Sequence, residues 1–512
     1  MLASVRRAAV LALALPILVL PNVAGPVAAA PSGLGLQAKS GALAKDAAAL
    51  DAMKAAADAR STARAGERSL PSAKPSSSLP AFEGVFDTRW TPPDTFAAIG
   101  TTRVVLTVNT RFGIYDRAGT LLADGGLQDL TPAVSDTCGG DPQVIWDADT
   151  SRFYVTNTDF CTGKIGVAYS TDSSPGSTAD WCSTVVDFGL GSNAFVDYQK
   201  LGDMQDNLLI GFNLYAGQVD ADVAWLPKPP AGTGCVDLAA GPKGVIGPLA
   251  YGDGQPAFTP VPANQIDPGP DGYVVAAADP YTYKAPGSLT VWRIATGPNG
   301  SPMLAGQTDV PVAAYDVPSN ARQLGTNKKL DTMDTRLWQV VAATDPRFGT
   351  TALWTQHTVF GGAGAAIHWY EVDAAAGGLL QSGGVTDPGG WVFNGAISPD
   401  RVVRGTTRAF GSNMALGFST SSTTAYPAIQ MVTKTGANAQ SAMTLVKASP
   451  GFDADYSCGK YCRWGDYASA VPDPAAPVRR QTAGVVWLGN QWNVASTSKA
   501  ADWRTWIWAA RP

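Results

Sequence analysis

The sequence predicts an all-β fold, and three of its features carry that prediction. Glycine (55 residues), proline (37) and tryptophan (15) are frequent among 512 residues and only 15% of residues are charged, which is typical of a turn-rich β domain and not of a disordered chain. Short β-type runs alternate with turn residues, and helical periodicity is nearly absent after residue 80. One strand-like phrase occurs twice, as residues 165–171 (IGVAYST) and 414–420 (MALGFST). Such recurrence over roughly 430 residues predicts a single β-propeller of six to eight blades.

Residues 1–29 have the features of an export signal. Arg6 and Arg7 supply the positive start, residues 8–20 are apolar, and small residues end the segment. An uncleaved membrane anchor is the alternative, but the apolar run contains Pro16 and is shorter than the roughly 18 residues of a membrane span. We therefore expect the signal to be removed and the protein to be secreted to the extracellular space.

Residues 30–80 form a spacer between this signal and the predicted propeller domain, residues 81–512. The spacer is rich in alanine up to residue 66, and residues 67–80 have the composition of a Pro/Ser linker. Its thin helical stripe consists of Leu43, Leu50 and Met53. This pattern favours a helical or disordered spacer over a folded domain.

The predicted propeller domain contains fifteen candidate strands separated by turn signals. They are residues 104–108, 113–115, 143–146, 153–156, 165–169, 208–212, 273–276, 289–294, 337–342, 352–354, 367–372, 391–396, 414–418, 428–433 and 484–487. Tandem β-sandwiches are the structural alternative. They should have linkers between them, and no Pro/Ser spacer interrupts residues 90–512, whereas a closed ring needs none and also hides its strand edges.

The charge of the chain excludes some partners. The formal net charge is −5, and removal of the signal takes away two arginines and no acid. An acidic chain without a dense Lys/Arg stripe is a poor ligand for nucleic acid or for anionic membranes. No later stretch has the length and apolarity of a membrane span, so we expect no membrane contact once the signal is gone. We also expect the protein to be a monomer.

Six cysteines in an exported chain predict three disulfides, and 15 pairings are formally open. Proximity in sequence favours the pairs Cys138 with Cys161, Cys182 with Cys235, and Cys458 with Cys462. A metal site is the weaker alternative because the sequence contains no CxxC motif and only two histidines. No cofactor is expected, although the acid pairs at 147/149, 220/222 and 453/455 are compatible with calcium.

Charged residues directly precede several candidate strands. In a propeller the innermost strand of each blade begins at one rim of the central channel, so these residues are expected at that rim. The candidates are Asp141, Asp197, Lys200, Asp334, Arg336, Arg463 and Asp466. Residues at this rim converge on one pocket although they are far apart in sequence, so they can bind a polar ligand and supply acid/base groups. The alternative is structural, since buried acids and arginines of β-repeats often satisfy the backbone of a neighbouring unit.

The remaining chemistry-bearing motifs are few. His357 follows Trp354 near the end of a candidate strand and could act as an acid or base, with a core histidine as the alternative. The chain has no GxSxG elbow, no P-loop and no GxGxxG after a strand, which argues against a serine hydrolase and against nucleotide binding.

Five phrases in order give the chain a resemblance to secreted bacterial β-propeller proteins that are similar in architecture to the sialidase-like propellers. They are residues 92–100 (PPDTFAAIG), 197–202 (DYQKLG), 367–371 (IHWYE), 425–429 (AYPAI) and 463–467 (RWGDY). The resemblance spans about residues 85–470 and implies architecture and export, because most of the group has no assigned reaction. Gln199 departs from the expected proline, and no Tyr/Glu nucleophile pair can be transferred, so the chain is not identified as a sialidase.

These observations predict a secreted propeller that binds or acts on an extracellular polysaccharide or glycoconjugate. As a glycoside hydrolase or polysaccharide lyase it would use the following residues: Asp141, Asp197, Asp334, His357 and Asp466 for catalysis, and Lys200, Arg336, Trp369, Tyr426 and Arg463 for the substrate. Glycoside hydrolysis needs two solvent-facing carboxyls about 5–10 Å apart. A non-catalytic carbohydrate-binding, protein-binding or adhesion propeller is the alternative.

Overall fold

The computed structural model describes residues 43–61, 79–135, 137–191, 194–496 and 500–512. Within these residues the chain is almost entirely β, with one α-helix, α1 (Ala47–Arg60). The predicted export signal and the remainder of the spacer lie outside the described residues. No helix in the described part is long and apolar enough to cross a membrane.

Most strands belong to seven antiparallel groups of four, here called units 1 to 7. In chain order the strands are β1 (Ala81–Glu83), β2 (Phe96–Ile99), β3 (Arg103–Val108), β4 (Arg111–Asp116), β5 (Leu121–Gly126), β6 (Gly139–Asp147), β7 (Arg152–Asp159), β8 (Lys164–Ser170), β9 (Trp181–Val186), β10 (Phe195–Met204), β11 (Asn207–Tyr215), β12 (Val219–Pro227), β13 (Gly244–Ile246), β14 (Val261–Gln265), β15 (Gly272–Ala277), β16 (Ser288–Thr296), β17 (Pro302–Pro311), β18 (Ala321–Gln323), β19 (Thr326–Leu330), β20 (Leu337–Asp345), β21 (Thr350–Val359), β22 (Ala366–Asp373), β23 (Leu379–Val385), β24 (Trp391–Pro399), β25 (Val402–Arg404), β26 (Thr407–Ala409), β27 (Asn413–Ser421), β28 (Ala428–Thr435), β29 (Thr444–Ala448), β30 (Ser469–Pro472), β31 (Val486–Asn493) and β32 (Trp503–Ala510).

The units follow the chain. Units 1 to 5 are β2–β5, β6–β9, β10–β13, β14–β17 and β20–β23; unit 6 is β24 with β27–β29, and unit 7 is β30–β32 with β1. Units 4 and 5 form one eight-stranded sheet because β14 pairs in parallel with β20. The pairs β18–β19 and β25–β26 are short hairpins outside the units.

The seven units close into a ring. The first strand of each unit contacts the first strand of the next, and β30 of unit 7 contacts β2 of unit 1. Unit 7 takes its outermost strand from the start of the domain, since β1 pairs with β32 in the register Ala81 opposite Trp508. Four-stranded meanders arranged around a centre with this closure are the topology of a β-propeller, which confirms the predicted architecture.

The inner strands are buried on both faces because each unit is covered by its two neighbours. All eight residues of β7 and all nine of β24 are buried. Apolar clusters fill the spaces between units, as where Phe112 of unit 1 packs in one cluster with Trp146 and Phe153 of unit 2. The outermost strands are different, since most of β17 is exposed, including Met303 and Leu304.

The predicted strands lie within observed strands, except that residues 484–487 begin two residues before β31. The echoed phrases belong to β8, the third strand of unit 2, and β27, the second strand of unit 6. They therefore repeat strand chemistry without occupying equivalent positions. Other strands were not predicted, among them the exposed outer strands β5, β13 and β17 and the buried inner strands β2, β10, β14 and β30.

The three favoured disulfides are confirmed. Cys138 is bonded to Cys161, Cys182 to Cys235, and Cys458 to Cys462. The first joins β6 to the end of β7, and the second ties β9 to the long connection after β12. The third closes a short loop between β29 and β30.

Candidate functional site at the mouth of the ring

The inner strands begin irregularly, and this irregularity positions the polar side chains. Asp141 and Tyr198 have φ of 51° and 56°, and both lie at bulges, in β6 and β10 respectively. Asp94, just before β2, has φ of 51°. A left-handed backbone is costly for residues other than glycine, above all for an aromatic one, and bulges commonly redirect a side chain next to a binding site.

A first group, the rim site, consists of Asp197, Tyr215, Tyr281, Asp334 and Arg336. Arg336 donates two bonds of 2.8 Å to the Asp334 carboxylate, and Tyr281 donates a third bond, of 2.9 Å, to the same carboxylate. Arg336 also lies over the Phe258 ring, with the guanidinium carbon 5.0 Å from the ring centroid. The guanidinium is thereby fixed in one orientation and still has N–H groups directed elsewhere.

The rim site binds the backbone N–H and carbonyl oxygen of Leu43, a residue that does not belong to the ring. The N–H of Leu43 donates to Asp197 Oδ2 at 2.9 Å. The carbonyl oxygen of Leu43 accepts from Arg336 Nη2 at 2.9 Å and from the Tyr215 hydroxyl at 3.0 Å. A cavity of about 440 Å³ lies beside this contact, between the N-terminal segment and the ring, and Asp334, Arg336 and Arg463 contribute to its wall.

A second group, the inner cluster, consists of Asp94, Asp141, Lys200, Arg463 and Asp466. Asp141 Oδ2 accepts the backbone N–H of Tyr198 from the next unit at 3.0 Å, and Asp94 Oδ1 accepts the N–H of Asp466 at 2.9 Å. Arg463 Nη2 binds both oxygens of Asp466 at 2.6 Å. The first two bonds join unit to unit, so the structural alternative applies to the contacts of Asp94 and Asp141, whereas Arg463 and Asp466 lie three residues apart in the connection before β30.

Lys200 occupies the centre of the inner cluster. Its ammonium nitrogen lies 3.7 Å from the Tyr198 ring centroid and 3.5 Å from that of Tyr467, between two aromatic faces. The nitrogen is buried and has no hydrogen-bond acceptor. Burial lowers the pKa of Lys200 to about 7, although nearby Asp141 favours the charged form.

The carboxyls of the rim site differ in their protonation. Burial, together with repulsion from Asp141, holds the pKa of Asp197 well above its ordinary range. Burial acts in the same direction on Asp334, but the charge and hydrogen bonds of Arg336 outweigh it and leave the pKa of Asp334 below its ordinary value. Burial thus favours the protonated form of Asp197, and Arg336 favours the ionised form of Asp334.

Seven of the predicted site residues meet in these two groups, drawn from different units: Asp141, Asp197, Lys200, Asp334, Arg336, Arg463 and Asp466. While the N-terminal segment lies on the ring, no carboxyl among them faces solvent, because each is at most 1% exposed. The two solvent-facing carboxyls that glycoside hydrolysis requires are therefore not presented in this arrangement.

The other three predicted residues lie outside both groups. His357 is fully buried, its Nδ1 is 2.8 Å from the Thr335 carbonyl oxygen and its Nε2 is 3.0 Å from the Tyr370 hydroxyl. Burial lowers the pKa of His357 to about 3, so the ring is neutral in ordinary conditions. These contacts are those of a core histidine, the alternative that the sequence left open.

The two predicted substrate-contacting aromatics are also engaged elsewhere. Trp369 is 2% exposed, stacks on Trp354 and donates to Gln440 Oε1 at 2.8 Å, between units 5 and 6. Tyr426 is half-buried in the connection between β27 and β28. Trp369 is thus a packing residue, because alternation along β22 turns it towards unit 6.

Five contributors were not predicted: Leu43, Asp94, Tyr198, Tyr215 and Tyr281. Asp94 and Tyr198 stand inside the phrases PPDT and DYQK, so their neighbourhood was marked, although their side chains were not. Tyr215 and Tyr281 end a strand and occupy a loop, and no pattern distinguishes them from other tyrosines. Leu43 contributes only its backbone N–H and carbonyl oxygen, and no sequence pattern indicates that these atoms will take part in a site.

Two groups of potential metal ligands occur in the described part of the chain. They are Cys138, Asp159 and Cys161, and Asp453, Cys458 and Cys462. Each contains two cysteines that form a disulfide, so neither offers three free ligands. Of the acid pairs that suggested calcium, Asp147 instead lies 3.3 Å from the Lys228 ammonium.

No family model matches the chain, and no curated protein matches it. Solved structures with similarity include the endo-arabinase of Bacteroides thetaiotaomicron (11% identity, 61% of this chain and 95% of that chain, TM-score 0.29). The endosialidase of phage phi92 is 8% identical over 85% of this chain and 69% of that one, with a TM-score of 0.39. The polysaccharide lyase Uly1 is 10% identical over 84% and 92%, with a TM-score of 0.34. At these values the likeness assigns neither activity nor substrate to the present chain.

Proposed function

We propose that this protein is an exported, seven-bladed β-propeller that binds an extracellular glycan or glycoconjugate at the rim site. Each four-stranded unit is taken as one blade. One observation supports the proposal above all: Asp197, Tyr215 and Arg336 converge from different parts of the ring on the backbone N–H and carbonyl oxygen of one residue outside it. Such convergence of a few fixed polar groups in a cleft is the usual construction of a ligand site.

The chemistry of the rim site suits a neutral, polar ligand. Arg336 is already neutralised by Asp334, so it offers N–H donors without an unbalanced positive charge. Asp197, which burial keeps protonated, accepts or donates a hydrogen bond to a hydroxyl or amide. The tyrosines add hydroxyl groups and ring faces against which a sugar can lie.

Hydrolysis or lyase cleavage is the second candidate function, and it requires the N-terminal segment to leave the ring, since no carboxyl of the rim site faces solvent while the segment is bound. Burial raises the pKa of Asp197, which would be the acid in this version. The Asp334 carboxylate already accepts four hydrogen bonds, so it would position Arg336.

The test uses the full chain and a panel of bacterial and plant glycans. Binding is measured by calorimetry, and cleavage by release of reducing ends or unsaturated products, for wild type, Asp197→Asn and Lys54→Ala/Ala57→Asp, which loosens the N-terminal segment. We expect Asp197→Asn to weaken binding of the recognised glycan at least about tenfold. Asp400→Asn, another buried acid that accepts backbone N–H groups, is the matched control and should bind as wild type does.

Each outcome decides between the candidates. Binding without product release supports the non-catalytic version, and product release that Asp197→Asn abolishes supports the catalytic one. If no glycan binds to any folded variant, the proposed function is wrong.

A further inference from the structure

Two buried carboxyls in the connection between β29 and β30 lack a positively charged partner. Asp453 and Asp455 are each 3% exposed, and no lysine, arginine or histidine in the described part of the chain forms an ion pair with either of them. By contrast, the buried Asp203 carboxylate lies 3.0 Å from the Lys228 ammonium. A buried charge without compensation is costly, so the pair at 453 and 455 needs an explanation.

Hydrogen bonds use only one oxygen of each carboxyl. Asp455 Oδ1 accepts the N–H and the hydroxyl of Ser457 at 2.8 and 2.6 Å. Asp453 Oδ1 accepts the N–H of Asp455 at 3.4 Å, which is a weak bond. The Oδ2 atom of each acid accepts no hydrogen bond from the described residues. Burial raises the pKa of both acids, and repulsion from Asp455 adds to the effect on Asp453.

Two further oxygen-bearing side chains lie beside these acids without bonding to them. Asn493, at the end of β31, is 1% exposed, and both its Oδ1 and its Nδ2 are buried without a hydrogen-bond partner. Thr91, in the connection between β1 and β2, is 8% exposed, and its hydroxyl is also buried and unpartnered. Asn493 is close enough to Asp453, and Thr91 to Asp455, to lower the pKa of the neighbouring carboxyl.

The unpartnered atoms indicate a common missing partner. Most buried amides and hydroxyls of proteins form hydrogen bonds, so two unpaired ones beside two unpaired carboxylate oxygens are unusual. A hydrogen-bond donor could satisfy the acids but would leave their negative charge in place. A cation can bind carboxylate, amide and hydroxyl oxygens at the same time and also supplies the positive charge that the acids lack.

We propose that Asp453, Asp455, Asn493 and Thr91 form a calcium site. The Asn493 amide turns its Oδ1 towards the ion by rotation about its last side-chain bond. The side chains then supply four oxygen ligands, and water completes the coordination shell. Calcium accepts such an irregular oxygen shell, whereas magnesium requires nearly ideal octahedral geometry.

The ligand types exclude softer metals. The nearest sulfurs, those of Cys458 and Cys462, are bonded to each other and provide no thiolate. Oxygen ligands alone favour a hard cation over zinc or copper.

The site lies where the ring closes. Asp453 and Asp455 belong to the connection from unit 6 to unit 7, Asn493 ends a strand of unit 7, and Thr91 precedes the first strand of unit 1. A bound ion therefore ties three separate parts of the chain together. This role does not depend on which ligand the rim site binds.

The first experiment measures calcium binding by calorimetry, using the full chain after dialysis against a chelator. We expect one calcium ion per chain with a Kd of about 0.1–1 mM, the range of extracellular calcium modules, and at least about tenfold weaker binding of magnesium. Asp453→Asn should weaken calcium binding at least about tenfold. Asp222→Asn is the matched control, since Asp222 is a buried acid of another closely spaced pair, and it should bind calcium as wild type does.

Three results of this experiment would contradict the proposal. Absence of calcium binding by wild type, or equal calcium affinity of wild type and folded Asp453→Asn, would overturn the site. Equal affinity for calcium and magnesium would overturn the choice of ion.

The second experiment uses thermal unfolding and a variant designed to strengthen the site. About 10 mM calcium should raise the Tm of wild type by about 2 °C and leave that of Asp453→Asn unchanged. Asn493→Asp adds a third carboxylate, so it should bind calcium about tenfold tighter than wild type and yet unfold at a lower temperature in chelator. A purely structural asparagine would not produce these opposite effects. If folded Asn493→Asp binds calcium no more tightly than wild type, Asn493 is not a ligand and the proposed site is wrong.

Discussion

The rim site and the inner cluster contain the same kinds of side chain but satisfy them in opposite ways. In the inner cluster the acids are bound by groups of the ring, as Asp141 is by the N–H of Tyr198 and Asp466 by Arg463. In the rim site Asp197 and Arg336 are bound by Leu43, which belongs to a segment outside every sheet. The difference lies in the partner, not in the residue type.

This difference separates a structural role from a binding role. A polar group whose partner belongs to the ring cannot exchange it for a ligand without opening the ring, and the cost would be that of leaving a buried group unpaired. When the partner belongs to a separate segment, that segment can leave without any strand of the ring being opened. The acids that the sequence placed in one class therefore fall into two.

The largest expected effect concerns the inner cluster. Arg463→Met removes the cation that binds both oxygens of the buried Asp466 carboxylate, which should lower the free energy of unfolding by about 3–5 kcal/mol. Urea unfolding measures this change. Lys45→Met is the control from the N-terminal segment, and it should change stability by no more than about 1 kcal/mol. Similar losses in the two variants would remove the distinction between the groups.

The next effect is a dependence of stability on pH. Burial, partly opposed by Lys200, raises the pKa of Asp141 from the ordinary 3.8 to about 6. The folded state therefore holds this proton more tightly than the unfolded state does. The stability that results is fully present below about pH 4 and is lost as pH rises through 6, amounting to at most about 3 kcal/mol. Unfolding of wild type and Asp141→Asn from pH 4 to 7 should show wild type losing this advantage.

Asp334 provides the opposite sign in the same experiment. Arg336 leaves the pKa of Asp334 lowered, so its contribution is present above about pH 4 and is lost as pH falls further. Wild type should then lose its advantage over Asp334→Asn on acidification. Parallel pH profiles for the two variants would contradict the assigned environments.

A smaller effect is expected at the rim site. Lysine in place of Arg336 cannot keep two bonds to Asp334 and one to the position of the Leu43 carbonyl oxygen, because it has a single ammonium group. Affinity of the protein for its ligand should fall by about 2 kcal/mol, or about thirtyfold, as measured by calorimetry. Arg401→Lys is the matched control, since Arg401 forms a similar double contact with Asp267 away from the rim site. It should leave the affinity unchanged.

The smallest effect is an absence of titration. Both ring nitrogens of His357 have partners, and burial lowers its pKa to about 3. Its imidazole resonances in NMR spectra should therefore not shift between pH 5 and 8. A titration in that range would return His357 to the candidate acids and bases.

Much of the fold could be predicted from local chemistry. Many strands of high apolar content follow from patterns within a few residues of each position, and the three disulfides join cysteines that are neighbours in the order of the six. The outer strand β17 could not be predicted because its residues are mostly exposed and its polar and apolar residues do not alternate. Trp369 stands in a phrase that the sequence marks as a site, whereas its side chain packs on Trp354 and bonds to Gln440 of the adjacent unit.

The sequence by itself determined that this chain is a turn-rich β-repeat protein, because strand periodicity and turn residues act locally. Only the tertiary structure decided which buried charges are fixed by the ring and which are held by Leu43. That decision depends on contacts between residues such as Leu43 and Arg336, whose oxygen and nitrogen lie 2.9 Å apart only because the N-terminal segment packs on the ring. No pattern along the chain encodes such a contact, since both groups have ordinary neighbours in sequence.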